Sequence, residues 1–248
     1  MNHAHNKQSG FTLIELTLAM LFISFLLLGI ALTVIQIGGI YTQGTTAKEI
    51  NQTSRDISDD LNRTIAASGP LTLSTDYMLR PSATSPAGGR LCLGTYSYVW
   101  NYAKAISGNN ANVTKYLAGP DGTTPEAPIR LIKVPDPGKL YCIKSGTAFT
   151  YANIRSVDTP KAQELLKAGD RELGIHDLSF ITPVPASATD SSTGRQLYSL
   201  SYTIGTSNVT AMNATQTACL AAGTANADTL YCNVQKFNLV ISAGNGVN

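Results

Sequence analysis

The feature that most constrains this chain is an uninterrupted apolar run near its N-terminus. From Leu16 to Ile40 the sequence has 25 residues without a charged side chain. At about 1.5 Å per residue, a helix of that length crosses the hydrocarbon core of a bilayer with some tilt. Apolar side chains fall on every face of this helix, which excludes an amphipathic helix packed on one side of a soluble core. The sequence therefore predicts a membrane-spanning helix.

An acidic residue, Glu15, directly precedes this run. A cleaved secretory signal and a plain membrane anchor are the two alternatives. A secretory signal has an apolar core of only about 7–15 residues and then a small-x-small cleavage site. Here the run is longer, and the segment Gln43–Ala47 is a weak site. Neither alternative explains a carboxylate at the head of a spanning helix, which is costly and usually functional.

The residues around Glu15 form a motif. A short basic leader ends in Lys7-Gln8-Ser9-Gly10 and is followed by Phe11-Thr12-Leu13-Ile14-Glu15. This stretch resembles the class III signal of type IV pilins and of type II secretion pseudopilins, and the match extends to about residue 40. The resemblance implies that residues 1–10 are a leader peptide, removed between Gly10 and Phe11 by a prepilin peptidase at the cytoplasmic face. It also implies N-methylation of Phe11.

Each part of the motif has an expected role. Gly10 lacks a side chain, so a protease can approach the scissile backbone closely. Lys7 favours the cytoplasmic side, whereas acidic side chains outnumber basic ones in residues 41–60, which gives an N-in, C-out orientation. In a packed filament Glu15 is expected to pair with the Phe11 ammonium of a neighbouring subunit, because an unpaired buried carboxylate costs several kcal/mol. Glu15 is thus interpreted as an assembly residue.

Beyond the membrane segment the apolar pattern continues on one helical face, at Ile50, Ile57, Leu61 and Ile65. This stripe predicts that a globular domain packs against the outer half of the same helix. Ser68-Gly69-Pro70 is expected to end the helix, with Gly69 as a left-handed cap. Residues 11–68 would form one helix of roughly 87 Å. Its parts are a transmembrane or filament-core half, 11–40, and an outer half, 41–69.

Residues 70–248 are predicted to form a β-rich head with long polar loops, because turn-forming residues separate short β-branched and aromatic runs. The strand candidates are Leu91–Tyr102, Ile129–Val134, Lys139–Lys144, Leu178–Thr182, Leu197–Ile204 and Leu230–Ser242. Alternation at Tyr96, Tyr98 and Trp100 predicts one buried face. A short helix is expected at Pro160–Ala168, with Thr159 as N-cap and Gly169 at its end. The fold class is α+β and resembles the pilin fold, in which a long N-terminal helix packs on an antiparallel sheet.

Four cysteines, Cys92, Cys142, Cys219 and Cys232, all lie in the head. An even number outside the cytoplasm favours disulfides, for which three connectivities exist. We favour Cys92–Cys142, which joins two predicted strands, and Cys219–Cys232, which closes a short loop before the last strand. The second bridge also fits the resemblance, because pilins often pin a C-terminal loop in this way. The alternative is four buried thiols.

Motifs for catalysis, cofactors or metals are weak in this sequence. No G-x-S-x-G, P-loop, H-E-x-x-H or EF-hand pattern occurs. His176 and Asp177 are adjacent on a predicted strand, so they point to opposite faces and make a poor catalytic pair. Asp121 and Glu126 could ligate Ca²⁺, but a solvated turn is the better interpretation. We therefore expect no enzyme, no cofactor and no metal site.

The resemblance implies a structural subunit of a type IV pilus or related filament that supports adhesion, motility or uptake. The size and the polar stretch from Thr53 to Leu61 favour a PilW-type minor pilin or a J-type pseudopilin. The expected partners are other pilin subunits, prepilin peptidase, the pilus assembly platform and the bacterial inner membrane, with an extracellular pilus as the final location. The alternatives are a type II secretion minor pseudopilin and a membrane-tethered adhesin domain that does not polymerise.

The charge balance of the sequence does not predict nucleic acid as a partner. Loss of Lys7 with the leader would leave 17 basic and 16 acidic side chains. A dedicated nucleic-acid binder is expected to be clearly basic, so a DNA-uptake pilin is the less favoured hypothesis.

Overall fold

One long helix, α1 (Leu13–Ala66), forms the N-terminal part of the fold. The computed structural model describes residues 11–80, 88–102, 116–118, 125–143, 154–155, 157–166, 172–181 and 196–244. At 54 residues, α1 is about 81 Å long. The expected leader, Gly10 included, lies outside the described residues.

The two halves of α1 have different environments. The outer half carries a buried stripe: Thr46, Ile50, Ser54, Ile57, Leu61, Thr64 and Ile65. These residues recur every three or four positions, as expected for one helical face. All four apolar positions predicted from the sequence are buried, and small polar residues fill the remaining places.

The end of α1 differs from the prediction. Ala67 is the C-cap in a right-handed conformation; its N–H donates to Arg63 O and the Ser68 N–H donates to Ile65 O, both at 3.1 Å. The Ser68 hydroxyl also donates to Ile65 O, at 2.7 Å. Gly69 does not adopt the expected left-handed conformation, because the serine hydroxyl and the cap N–H already satisfy terminal carbonyls of the helix.

The first sheet is antiparallel, in the order β1-β2-β3-β5-β4, with β6 paired to β5. A short helix, α2 (Leu73–Asp76), leads into it. Its strands are β1 (Tyr77–Arg80), β2 (Gly88–Cys92), β3 (Tyr96–Tyr102), β4 (Tyr116–Ala118), β5 (Pro125–Pro135) and β6 (Gln163–Glu164). The second sheet has three antiparallel strands, β7 (Leu173–Ile181), β8 (Gln196–Thr206) and β9 (Val234–Ala243), in that order. The described head thus has two sheets, where the sequence suggested one.

The main core joins the stripe of α1 to both sheets. It includes Leu91, Tyr98, Trp100 and Leu131 from the first sheet and Tyr198, Leu200, Tyr202 and Ile241 from the second. A second cluster covers the opposite face of the first sheet and includes Val99, Ile132, Val134, Tyr141 and Ile154. Both faces of β3 are therefore buried, whereas its sequence pattern predicted one. The architecture is a long apolar N-terminal helix packed on antiparallel sheets, an α+β layout.

Two predicted elements are wrong, and a third, the single strand predicted at Leu91–Tyr102, is divided between β2 and β3 by a turn at Gly94, where φ is positive. In place of a strand at Lys139–Lys144, the chain makes a 3₁₀ turn at Leu140–Cys142, because the buried Asp136 carboxylate accepts the backbone N–H groups of Leu140 and Tyr141 at 2.8 and 3.1 Å. In place of a helix at Pro160–Ala168, a 3₁₀ turn at Thr159–Lys161 leads directly into β6.

The helix predicted at Pro160–Ala168 does not form because of a tertiary contact. In β6, Gln163 and Glu164 pair with Lys133 and Ile132 of β5. The next residue, Leu165, donates its N–H to Leu131 O at 2.8 Å. Pairing with β5 thus overrides the local helical signal.

Candidate functional site

The N-terminal turn of α1 is closed by a capping box formed by Thr12 and Glu15. Glu15 Oε2 accepts the Thr12 backbone N–H at 3.0 Å and the Thr12 hydroxyl at 2.8 Å. The Glu15 N–H donates to Thr12 Oγ1 at 3.4 Å. Two donors at the helix start are therefore satisfied within the chain.

The assembly role predicted for Glu15 does not include this capping role. The signal was present, because T-x-x-E before an apolar run is a capping-box pattern. Phe11 precedes the cap, outside the helix, and its side chain is almost fully exposed. The capping box lies entirely within residues 12–15, so removal of a leader that ends at Gly10 would leave it intact.

The inner half of α1 has no packing partner within the chain. Leu13–Ala66 is a helix long and apolar enough to cross a membrane, and none of its most apolar window is buried against the rest of the protein. Large side chains such as Phe22, Phe25 and Ile35 are more than half exposed. Because exposed apolar surface of this extent is unfavourable in water, this half requires a lipid or protein environment.

The head first contacts α1 close to the end of the apolar run. Gln43 donates its side-chain amide to Thr229 O. One turn earlier, a Cβ at Gly39 would lie 3.2 Å from Leu230 Cδ2, so glycine allows a close approach of the Leu230 side chain. The loop that precedes β9 therefore lies against the helix at the boundary of its exposed half.

All four predicted disulfide cysteines are paired in the structure. Cys92 is bridged to Cys142, with Cα atoms 6.1 Å apart, and Cys219 to Cys232, with Cα atoms 5.9 Å apart. These are the pairs that the sequence analysis favoured. The first bridge links β2 to the 3₁₀ turn after β5, and the second closes the loop that rests on α1.

Polar contacts fix the outer half of α1 on the first sheet. The Lys133 ammonium lies 2.7 Å from Asp60 Oδ1 and donates to Thr64 Oγ1 at the same distance. The Tyr98 hydroxyl donates to Asp60 Oδ2 at 2.7 Å. Burial, and then the bond to Asp60, raises the pKa of Tyr98 above the usual value of 10.0. Tyr98 is therefore a neutral donor.

A second set of polar contacts fixes α1 on the second sheet. The Tyr202 hydroxyl lies 2.8 Å from Ser54 Oγ and 2.5 Å from Ser58 Oγ, and it donates to Ser54 O at 2.9 Å. Burial raises the pKa of Tyr202, which keeps the hydroxyl protonated. Ser54 and Ser58 lie in the polar stretch noted in the sequence, but their partner could not be inferred from spacing.

His176 does not form a catalytic group with its neighbours. It is buried, and its Nε2 lies 3.1 Å from Thr206 O while its Nδ1 lies 3.3 Å from Gln216 Oε1. Burial lowers the pKa of the imidazole below 6.5. The nearby Ser179 hydroxyl contacts Asp177 and Ser201, not His176: it donates to Asp177 Oδ2 at 3.2 Å and lies 2.8 Å from the Ser201 hydroxyl oxygen. His176 thus connects β7 to the chain that follows β8.

A cleft of about 320 Å³ lies between the outer half of α1 and β6. Asp56, Asp59 and Arg63 line its helical side and Glu164 lines its strand side. Glu164 Oε1 accepts the N–H groups of Leu131 and Leu166, at 3.1 and 3.2 Å. Burial raises the pKa of Glu164 to about 7. No sequence pattern indicates this cleft, because the segment that forms β6 has the pattern of a helix.

No group of three His, Cys, Asp or Glu side chains that could hold a metal ion occurs within the described ranges. The suggested Ca²⁺ ligand Asp121 lies outside these ranges, and Glu126 lies in β5. Comparisons of the chain with protein-family models, with curated proteins and with solved structures gave no match.

Proposed function

We propose that this chain is a structural subunit of a type IV pilus or related filament, a minor pilin of the PilW type. The subunit is stored in the bacterial inner membrane as a single-pass protein, N-in and C-out, and becomes extracellular on assembly. Support for the proposal comes from α1, because its two halves have different surroundings. Its outer half is packed in the head, while its inner half is unburied and needs lipid in storage and neighbouring helices in a filament.

The observation that carries the proposal is the start of that helix. A capping box stabilises the start of any helix, but a plain anchor does not require a charged residue for it, since Gln is also accepted at this position. The residue here is Glu15, which Thr12 contacts at 2.8 Å. In the described hydrogen bonds, Thr12 donates both its hydroxyl and its N–H to Oε2 of Glu15. The other oxygen, Oε1, is left for a second partner, and a packed filament would supply one in the N-terminal ammonium of the next subunit.

The partners that follow are other pilin subunits, a prepilin peptidase and an assembly platform. The peptidase would act between Gly10 and Phe11, and N-methylation would then modify Phe11. The head, which is cross-linked by two disulfides, would be the part exposed on the filament.

Mass spectrometry of sheared surface filaments tests the proposal. We expect peptides of this chain in the filament fraction, in far fewer copies than the principal subunit. Presence in the membrane fraction alone, with abundant filaments on the same cells, would favour the tethered adhesin instead. Recovery from periplasmic fibres that depend on a secretion apparatus would identify a pseudopilin.

A further inference from the structure

A disulfide-closed loop lies on α1 where the exposed apolar half ends. Its last turn is built on Asp228, whose Oδ1 accepts the N–H groups of Leu230 and Tyr231 at 3.1 and 2.9 Å. Cys232, the next residue, is tied back to Cys219. The loop is therefore held in one shape by a covalent bridge and by its own carboxylate.

This loop touches the helix yet leaves large side chains outside. Thr229 O accepts from the Gln43 amide, and Leu230 packs at Gly39. Even so, Leu230 is 47% exposed and Tyr231 is 51% exposed. Tyr41 lies at the same height along α1, on the face of the helix opposite these contacts, and is 73% exposed. Tyr41 on one side of the helix and Leu230 and Tyr231 on the other thus present apolar and aromatic side chains at one height along α1, and these three residues are here called the collar.

The height of the collar along α1 can be compared with the thickness of a bilayer. Glu15 and Gly39 are 24 residues apart, which corresponds to about 36 Å of helix. The hydrocarbon core is about 30 Å thick, and a bilayer with its headgroups is about 40–45 Å thick. With the Glu15 carboxylate among the cytoplasmic headgroups, Gly39 lies beyond the hydrocarbon and within the opposite headgroup layer.

The chemistry of the collar fits that layer. Tyrosine is enriched at membrane interfaces because its ring is apolar and its hydroxyl is polar. From Cys219 to Cys232 the chain contains one acidic or basic side chain, Asp228, and its carboxylate already accepts two backbone N–H groups. Entry into the headgroup layer therefore requires no new desolvation of a free charge.

We propose that the collar binds the phospholipid headgroup layer on the outer face of the membrane and sets the height at which the head is held before assembly. This inference rests on the proposed membrane insertion of α1. Lipid is the favoured binding partner of the collar, because the collar directly adjoins the segment of α1 that needs a lipid environment.

Depth-dependent quenching in vesicles of phosphatidylethanolamine and phosphatidylglycerol tests the proposal. The full-length chain carries one tryptophan, Trp100, which is fully buried and provides a constant background. In Tyr231→Trp we expect fluorescence to fall by about half with lipids brominated near the headgroup, and less with lipids brominated at the acyl-chain ends.

Two matched variants separate the possible failures. Phe25→Trp, in the exposed apolar half, reports insertion of α1 and should be quenched most by acyl-end bromine. Val240→Trp, exposed on β9 near the outer end of α1, should not be quenched. Quenching of Phe25→Trp without quenching of Tyr231→Trp overturns the collar proposal and leaves membrane insertion standing. If neither Phe25→Trp nor Tyr231→Trp is quenched, the membrane insertion of α1, on which the collar proposal rests, is itself overturned.

Two further results would also overturn the collar proposal. One is equal quenching at positions 231 and 240. The other is a Tyr231→Trp signal that follows the protein-to-lipid ratio rather than bromination, because it would identify a second copy of the chain as the occupant.

Discussion

Lys133 of β5 and Asp60 of α1 form an ion pair, 2.7 Å from Nζ to Oδ1, in the interface between the helix and the first sheet. Their side chains are only 13% and 21% exposed. Apolar contacts tolerate rotation and sliding of a helix, whereas a buried charged pair is satisfied in one geometry. This pair therefore fixes the rotation of α1 relative to the first sheet.

The first prediction concerns that pair. Lys133→Met should lower the free energy of unfolding by about 1–3 kcal/mol, because it leaves the Asp60 carboxylate desolvated with only the Tyr98 hydroxyl as a partner. Urea unfolding of the full chain in detergent, followed by Trp100 fluorescence, measures the loss. The double variant Lys133→Met/Asp60→Leu should recover part of it, since both charges are then absent. Strictly additive losses in the double variant would contradict the coupling.

The second prediction concerns processing. The mature protein should begin at methylated Phe11, and Gly10→Val should accumulate as uncleaved precursor in the membrane fraction, because a β-branched side chain hinders approach to the scissile backbone. Mass spectrometry of the N-terminal peptide measures both. An intact Met1 in the wild type, or cleavage near Ala47, would refute the assignment.

The third prediction separates two roles of Glu15. Glu15→Gln removes the charge but keeps an acceptor for the Thr12 N–H and hydroxyl, since Gln is also accepted at this position of a capping box. We expect normal membrane insertion and processing, with reduced incorporation into filaments. Glu15→Leu removes both the charge and the cap, and it should incorporate no better, because apolar helix contacts do not select one axial register.

The readout is the amount of this subunit in sheared filaments divided by its amount in the membrane. Thr12→Val is the matched control, because it removes the capping hydroxyl and keeps the carboxylate charge. If Thr12→Val incorporates as poorly as Glu15→Gln, the defect lies in the helix start and the assembly role of the charge is wrong.

The fourth prediction concerns the loop closed by Cys219 and Cys232, which are 13 residues apart. Replacing both cysteines with serine should lower the free energy of unfolding by about 3 kcal/mol in the chain-entropy account. Denaturant unfolding measures the loss. Peptide mapping without reductant, after rapid alkylation, should recover the wild-type peptides joined, and free thiols at both positions would contradict the bridge in the exported protein.

The fifth prediction concerns pH. Burial raises the pKa of Glu164 from 4.5 to about 7, so between these values the folded chain keeps a proton that the unfolded chain has lost. The contribution of this group to stability is therefore greatest below pH 4.5 and is lost as the pH rises to about 7. Glu164→Gln keeps an acceptor for the N–H groups of Leu131 and Leu166 and should lack this dependence.

The measurement is the free energy of unfolding of Glu164→Gln minus that of the wild type, which should increase with pH through this window and then level off. His176 acts in the opposite direction, because its pKa is lowered by burial and its contribution is lost as the pH falls below 6.5. Both proteins keep His176, so its effect cancels in the difference. A flat difference would show that Glu164 is solvated.

Sequence patterns predicted the features that depend on periodicity. Ile50 and Leu61 could be placed on a buried face because the spacing of a helix is local, and α1 itself follows from that pattern. The segment at residues 160–168 could not be assigned correctly, because its extended conformation depends on Leu131, about 30 residues away. The same applies to Asp60, whose partners Tyr98 and Lys133 come from two different strands.

Strand β9 is joined to α1 near both of its ends. At one end the Gln43 amide binds Thr229 O, and at the other the Gly244 N–H donates to Ser68 O at 3.2 Å. The strand therefore runs alongside the helix in the same direction, with Tyr202 of its neighbour β8 bound to Ser54 in between. A tension applied along α1 loads these attachments in shear, so they share the force instead of opening one after another. Separation of the head from α1 along the helix axis would therefore require several of these hydrogen bonds to break together.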